Sequence, residues 1–232
     1  MNRPITYPGG KIGSGSFQQI MNEIPADVDT IVIPFLGNCP IARYFRGRIK
    51  VIAFELYPVV INDYWDPVVS TDFEILNEDC LTWLRSHIHL LGPATFIYAD
   101  PPYLFSTRKG GKLYNYEFGT DKEHADLVQL LLTTRSRVAI SGYESGLYND
   151  LLGNWRKKKW QVATRGGKAT ETLWMNYDTP DRLYTYDFLG RNNTERQRIK
   201  RKIERHVKRL KRLPHHEAMA IIDKINCTAV DV

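Results

Sequence analysis

Four short apolar runs between residues 28 and 142, TIVIPF, KVIAFEL, TFIYAD and RVAISGY, limit what this chain can fold into. Each is rich in β-branched or aromatic residues, and each ends in a carboxylate, a glycine or a proline. Helical segments fall between them: IARYFRG, PVVINDYW, CLTWLRSHIHLL and EHADLVQLLLTTRS, the last with Leu127, Leu130 and Leu131 on one face. Strand and helix in alternation predict βαβ units on a parallel sheet, an α/β fold that binds ligands at the carboxyl ends of its strands. The third run stops in Asp100-Pro101-Pro102-Tyr103. Proline lacks the N–H that a sheet ladder needs, so pairing ends there and the acid is delivered to the ligand edge.

Two more strand-like runs, KKKWQVATR and ATETLWMNYD, are joined by Gly166-Gly167-Lys168 and predict a β-hairpin. Its tip lands on the ligand edge if the first run is parallel to the sheet. From Asn192 the chain reads as two helices broken at Pro214. Ile199, Ile203, Val207, Leu210 and Leu213 form one apolar stripe among basic residues, and Ala218, Ile221, Ile222 and Ile225 serve the second helix.

At 232 residues and 43% hydrophobic, the chain suits one core with an appendage, divided as an α/β domain over 1–190 and a basic helical extension over 191–232. The formal charge of +6, concentrated around 192–213, favours a polyanionic partner. No run approaches the roughly 18 apolar residues of a membrane span, and the start MNRPITYPGGK lacks an apolar leader, so a cytoplasmic protein without a membrane partner is expected. Cys39, Cys80 and Cys227 are scattered without CxxC spacing and the six histidines form no ligand set, so neither disulfides nor a metal is expected. No GxGxxG follows the first strand, which argues against a nicotinamide enzyme.

Asp100-Pro101-Pro102-Tyr103 after an apolar strand, TYPGGK at 6–11, PFLGN at 34–38, SGY at 141–143, TRGGKATETLWMNY at 164–177 and the basic tail together resemble the N6-adenine DNA methyltransferases of the Dam-like D12 class, in their short phage and mobile-element form. The resemblance covers most of the chain and implies a Rossmann-like S-adenosylmethionine-dependent methyltransferase fold with a C-terminal basic helical hairpin. The chemistry of the residue types is compatible with that activity. The exocyclic nitrogen of adenine is a poor nucleophile because its lone pair is delocalised into the ring. Acceptors on its two protons return electron density to it, and the Asp100 carboxylate and the Pro101 carbonyl are such acceptors, aimed by a backbone that Pro102 stiffens. Tyr103 is placed to stack on a flipped base.

For the cofactor, S-adenosylmethionine, the resemblance implies that Lys11, after the flexible Gly9-Gly10, pairs with the methionine carboxylate, with Tyr7 beside it. It also implies that Pro34, Phe35 and Gly37 approach the methionine portion, Glu55 accepts the ribose hydroxyls, and Asp79 with Cys80 contacts the adenine ring. One position departs from the family, which usually has an acid just before its Pro-Phe; here it is Ile33. Many members of that family insert a target-recognition domain ahead of the catalytic motif, but here Asp100 follows Asp79 by only about twenty residues, which leaves no room for one.

DNA contact is therefore expected from the loop after Tyr103, with Arg108, Lys109, Lys112, Tyr114 and Tyr116, and from the hairpin tip with Arg165 and Lys168. The tail either adds a phosphate-binding face or serves self-association, so both a monomer and a homodimer stay open. RNA adenine methylation and a DNA-binding module with impaired catalysis are the remaining alternatives. A related glutamine-methylating family has Asn where this chain has Asp100.

Overall fold

The computed structural model describes residues 11, 15–65, 71–107, 115–164 and 167–228. The expected site residues Tyr7, Gly9, Gly10, Arg108, Lys109, Lys112, Tyr114 and Arg165 lie outside them. The chain divides into two compact units, Met1–Thr185 and Tyr186–Val232.

In the first unit the four apolar runs form β1 (Thr30–Ile33), β2 (Lys50–Phe54), β4 (Thr95–Ala99) and β5 (Arg137–Gly142). Nearly every residue in these strands is buried, because helices cover both faces of a parallel sheet. β3 (Phe73–Leu76) was not legible as a strand: it has four residues, lies at the sheet edge and buries only one of them fully. The hairpin is β6 (Arg156–Thr164) and β7 (Gly167–Met175). The sheet order is β3-β2-β1-β4-β5-β7-β6, with β1 to β5 mutually parallel and β7 antiparallel to both neighbours.

This order places a topological switch between β1 and β4. The chain leaves β1 toward β2 and β3, then returns to lay β4 on β1's other side, opening a crevice at the carboxyl ends of the two strands. Because β7 is reversed, β6 runs in the same direction as β5, so the hairpin tip does fall at that edge. β5 ends at the pair Gly142↔Thr172, whereas β6 and β7 continue together from Trp160↔Glu171 to Thr164↔Gly167. At about 3.3 Å per residue the ribbon projects roughly 16 Å past β5.

The helices are α1 (Ser16–Met21), α2 (Pro40–Phe45), α3 (Pro58–Tyr64), α4 (Cys80–His87), α5 (Asp121–Leu132) and α6 (Gly146–Leu151). Neither α1 nor α6 was anticipated, since six residues give too few turns for a periodic apolar pattern. The segment CLTWLRSHIHLL is one α-helix only as far as His87, after which Ile88–Leu90 tighten into a 3₁₀ turn. Pro40 and Pro58 each open a helix, where a missing N–H costs nothing. Leu84, Leu127, Leu131 and Trp174 pack with Val32, Ile97 and Ile140 on one face of the sheet. Alternate residues such as Ile31, Ile33, Phe96 and Tyr98 point to the other face and are equally buried.

The second unit carries α7 (Asn193–Leu210) and α8 (His215–Thr228), separated at Pro214 as the sequence predicts. Asn192 caps α7 by accepting from the Glu195 amide at 2.9 Å. No residue of α7 is buried, and Ile203 and Val207 of its apolar stripe are exposed.

Candidate active site

The strand ends deliver the functional side chains to one cavity of about 300 Å³. Pro34, Phe35 and Gly37 reach it from β1, Glu55 from β2, and Asp100 through Tyr103 from β4. Asp79 and Cys80 line it at the start of α4, and Lys11 and Tyr116 complete the set of expected residues that it brings together. Lys168 stands apart, exposed at the hairpin tip opposite Ala163. Ile33 is fully buried within β1 and is not among the lining residues.

At the β2 end, Glu55 accepts one backbone N–H on each oxygen, from Gly37 and from Tyr57, both at 2.9 Å. Burial pushes its carboxyl up while these two bonds hold it down. Gly37 has φ 43°, a left-handed conformation that suits glycine, and its carbonyl accepts the Trp65 indole N–H at 2.8 Å. Asp79 uses both oxygens to cap α4, accepting from Leu81 and Thr82 amides at 3.2 Å, so its position in the cavity wall is set by helix capping. The Cys80 thiol is buried in the core, and burial raises its pKa. Phe35 packs edge-on to Phe118 at 5.0 Å between centroids, and Tyr116, half exposed, lies 6.1 Å from the Tyr57 ring.

At the β4 end, a buried network surrounds Asp100. Lys11 directs its ammonium at Asp100 Oδ1 (3.0 Å), Glu171 Oε1 (2.6 Å) and the Tyr103 hydroxyl (2.5 Å). An ammonium has three donors, so a ligand carboxylate can pair with Lys11 only by displacing one of these acceptors. Burial opposes the charge on Lys11, but Asp100, Tyr103 and Glu171 override it and hold the group well above its ordinary value. Ser141 on β5 also donates to Asp100 Oδ1, at 2.8 Å, and shares a 2.9 Å bond with the Tyr98 hydroxyl. Among the described residues, neither Asp100 Oδ2 nor the Pro101 carbonyl has a hydrogen-bond partner.

Tyr103 is held at both ends. Its hydroxyl donates to Glu171 Oε1 at 3.0 Å, and its ring lies 4.4 Å from that of Tyr143. Pro102 is held by His124, whose Nε2 faces both the Pro102 carbonyl at 3.1 Å and the Phe118 carbonyl at 3.0 Å. Two carbonyls at Nε2 require the proton there, so Nδ1 accepts from the Tyr148 hydroxyl at 2.7 Å. Burial lowers the His124 pKa and favours this neutral form. The position of His124 follows from the capping box of Thr120 and Glu123, which fixes the first turn of α5.

Glu171, Ser141 and His124 were not assigned from sequence. A signal for Glu171 was available: at alternate spacing it shares the inward face of β7 with Leu173 and Met175, and an acid on an inward face needs a partner. His124 gave no such signal, because its partners, the Pro102 and Phe118 carbonyls and the Tyr148 hydroxyl, follow no periodicity in the sequence. Among the described residues no group of three or more His, Cys, Asp and Glu is placed to hold a metal, and no helix is long and apolar enough to cross a membrane.

The sheet order with its reversed seventh strand, and the cavity across the ends of β1, β2 and β4, define the fold class of the S-adenosylmethionine-dependent methyltransferases. No family model matches the chain, and no curated protein does. Solved structures similar to it include an rRNA methylase from Streptococcus thermophilus, at 14% identity and TM-score 0.47 over 75% of this chain and 97% of that one. An N-methyltransferase from Bradyrhizobium japonicum is similar at 6% identity and TM-score 0.46, over 71% and 94%. A SAM-dependent methyltransferase from Agrobacterium tumefaciens is similar at 12% and 0.44, over 69% and 59%. The sheet order therefore carries the fold, and the site's own chemistry carries the functional reading.

Proposed function

We propose that this protein transfers a methyl group from S-adenosylmethionine to N6 of a flipped adenine in DNA. The observation that supports this best is the pair of open acceptors at the end of β4, Asp100 Oδ2 and the Pro101 carbonyl, on the wall of a cavity that extends to Glu55. The residues present fit the cofactor: Glu55 keeps lone pairs for a diol after accepting two backbone N–H groups, and Phe35 offers an apolar surface beside it. When bound, S-adenosylmethionine supplies an electrophilic methyl group.

The protein's part is to hold and polarise the amine. Asp100 and Pro101 each accept one amino proton, which returns lone-pair density to nitrogen, and both bonds strengthen as nitrogen becomes cationic. Asp100 is the nearest carboxylate to receive the proton released afterwards, and burial raises its proton affinity. The hydroxyl bonds of Tyr103 fix its ring for stacking, worth about 1–3 kcal/mol per base. That matches the few kcal/mol, roughly, that unstacking a duplex base costs.

Labelled-methyl transfer to double-stranded DNA, single-stranded DNA and RNA tests the reading, and RNA as the preferred acceptor would replace DNA in it. Contact with DNA is assigned to the loop after Tyr103 and to the projecting hairpin tip. Replacing Lys109 and Lys112 together with alanine is expected to lower the slope of log affinity against log salt by about two. An unchanged slope removes the loop from the interface.

The second unit extends the same reading. Its α7 carries basic residues from Arg196 to Arg209 against only Glu195 and Glu204, a distribution suited to phosphates. Truncation after Gly190 is expected to weaken DNA binding by a folded protein of unchanged oligomeric mass. Loss of a dimer without loss of affinity would instead make the helices an oligomerisation element.

A further inference from the structure

We infer that Glu171 is a positioning residue for Asp100, dividing the Lys11 ammonium between two carboxylates so that Asp100 keeps its strength as an acceptor. This inference rests on the proposed methyl transfer, and it concerns a residue to which the sequence pattern gave no role.

Glu171 is 2% exposed and fixed on both oxygens. Oε1 accepts from Lys11 and Tyr103, and Oε2 accepts from Ser16 at 2.9 Å. Ser16 in turn accepts the Trp160 indole N–H at 2.8 Å. The acid therefore ties α1, β6, β7 and Tyr103 together and has no freedom to swing away. Burying an ion pair is a poor route to stability, since apolar residues of similar volume usually do as well. A carboxylate on the inward face of β7, in line with Leu173 and Met175, points to a task that an apolar residue could not perform.

The distances define the task. Lys11 is nearer Glu171, at 2.6 Å, than Asp100, at 3.0 Å. With Lys11 alone, Asp100 would form a tight one-to-one pair and its oxygens would be weaker acceptors for an amine. With Glu171 present, one cation serves two anions, and Asp100 Oδ2, which has no partner among the described residues, keeps more of its negative charge. The other titratable groups facing Asp100 are Tyr98 on its own strand, Tyr103, Tyr143 after β5, Tyr148 in α6 and Cys39 ahead of α2. All are neutral at physiological pH, because the tyrosines are raised and burial pushes the Cys39 thiol up to about 12. Among the described groups Glu171 is thus the second anion at this position.

The test is Glu171→Gln, read first by ¹³C NMR of labelled aspartate carboxyls in the protein without ligands. Removing the neighbouring anion is expected to move the Asp100 titration to lower pH. In methyl transfer, kcat is expected to fall by about tenfold to a hundredfold, with KM for S-adenosylmethionine changed less than about twofold. Glu171→Asp, which keeps the charge but sets it farther from Lys11, is expected to restore part of both, and Glu171→Ala, which also removes the charge, gives the same titration readout should the glutamine variant fail to fold. An Asp100 titration unchanged from wild type in whichever charge-removing variant folds overturns the inference, as does a higher KM for S-adenosylmethionine at unchanged kcat. Wild-type protein inactive on every nucleic acid would remove the proposed function, while the shift in Asp100 titration would still decide the electrostatic coupling.

Discussion

Asp100→Ala is expected to reduce methyl transfer to DNA by about a thousandfold or more, in a protein that still folds and still binds S-adenosylmethionine. The size of the loss follows from the number of acceptors. Of the two acceptors without a partner among the described residues, the variant removes the charged one, and a neutral carbonyl cannot alone offset a positive charge that develops on nitrogen. The protein tolerates the change because Lys11 keeps Glu171 as its counter-ion at 2.6 Å, leaving a neutral pair in the core. Asp100 is also a group whose proton affinity is raised by burial and by Glu171, with Lys11 and Ser141 acting against them. Its ionised form is held in place at some cost to folding, so its removal is expected to cost the fold little. Equal activity in wild type and variant, measured by labelled-methyl incorporation, would refute the catalytic role. A parallel loss of cofactor binding would move Asp100 to the cofactor site.

Lys11→Met has the opposite balance and is expected to cost about 3–5 kcal/mol of stability near neutral pH, because it leaves Asp100 and Glu171 buried together without their cation. The pH dependence has a definite sign. In wild type the Lys11 pKa is raised above its unfolded value, so its contribution is complete below about pH 10 and is lost as pH rises through the folded value. In the variant, the Asp100 carboxyl loses the group that most lowers its pKa. A folded pKa above the unfolded value means that the native state binds its proton more tightly, so stability rises as pH falls through that range. Urea midpoints should therefore show a deficit that is largest near neutral pH and shrinks toward about pH 5. A deficit constant across that range would mean that packing of the lysine stem, and not its charge, holds the site together.

β1, β2, β4 and β5 could be read because strands buried on both faces must be apolar throughout, and the prolines after Asp100 mark where pairing ends. The break at Pro214 was equally plain. β3 was not, since a short edge strand buries too little to leave a pattern, nor were the six-residue helices α1 and α6. The direction of the hairpin was conditional in sequence and became definite only when β7 paired antiparallel between β5 and β6.

The sequence by itself determined the groups that end on the ligand edge: Glu55 after β2 and Asp100 through Tyr103 after β4. Local covalent rules suffice for that, because proline, glycine and strand propensity act over a few residues. Only the tertiary structure decided which charges face one another. Lys11, Asp100 and Glu171 are separated by 89 and then 71 positions, and no periodicity links them. They meet because β4 and β7 flank β5 and the residues ahead of α1 reach the same edge. Electrostatic partnership depends on distance in space and on exclusion of water, neither of which the order of residues specifies. For that reason the resemblance could imply a cofactor role for Lys11, but only the folded chain shows the three acceptors that its donors meet, Asp100, Tyr103 and Glu171.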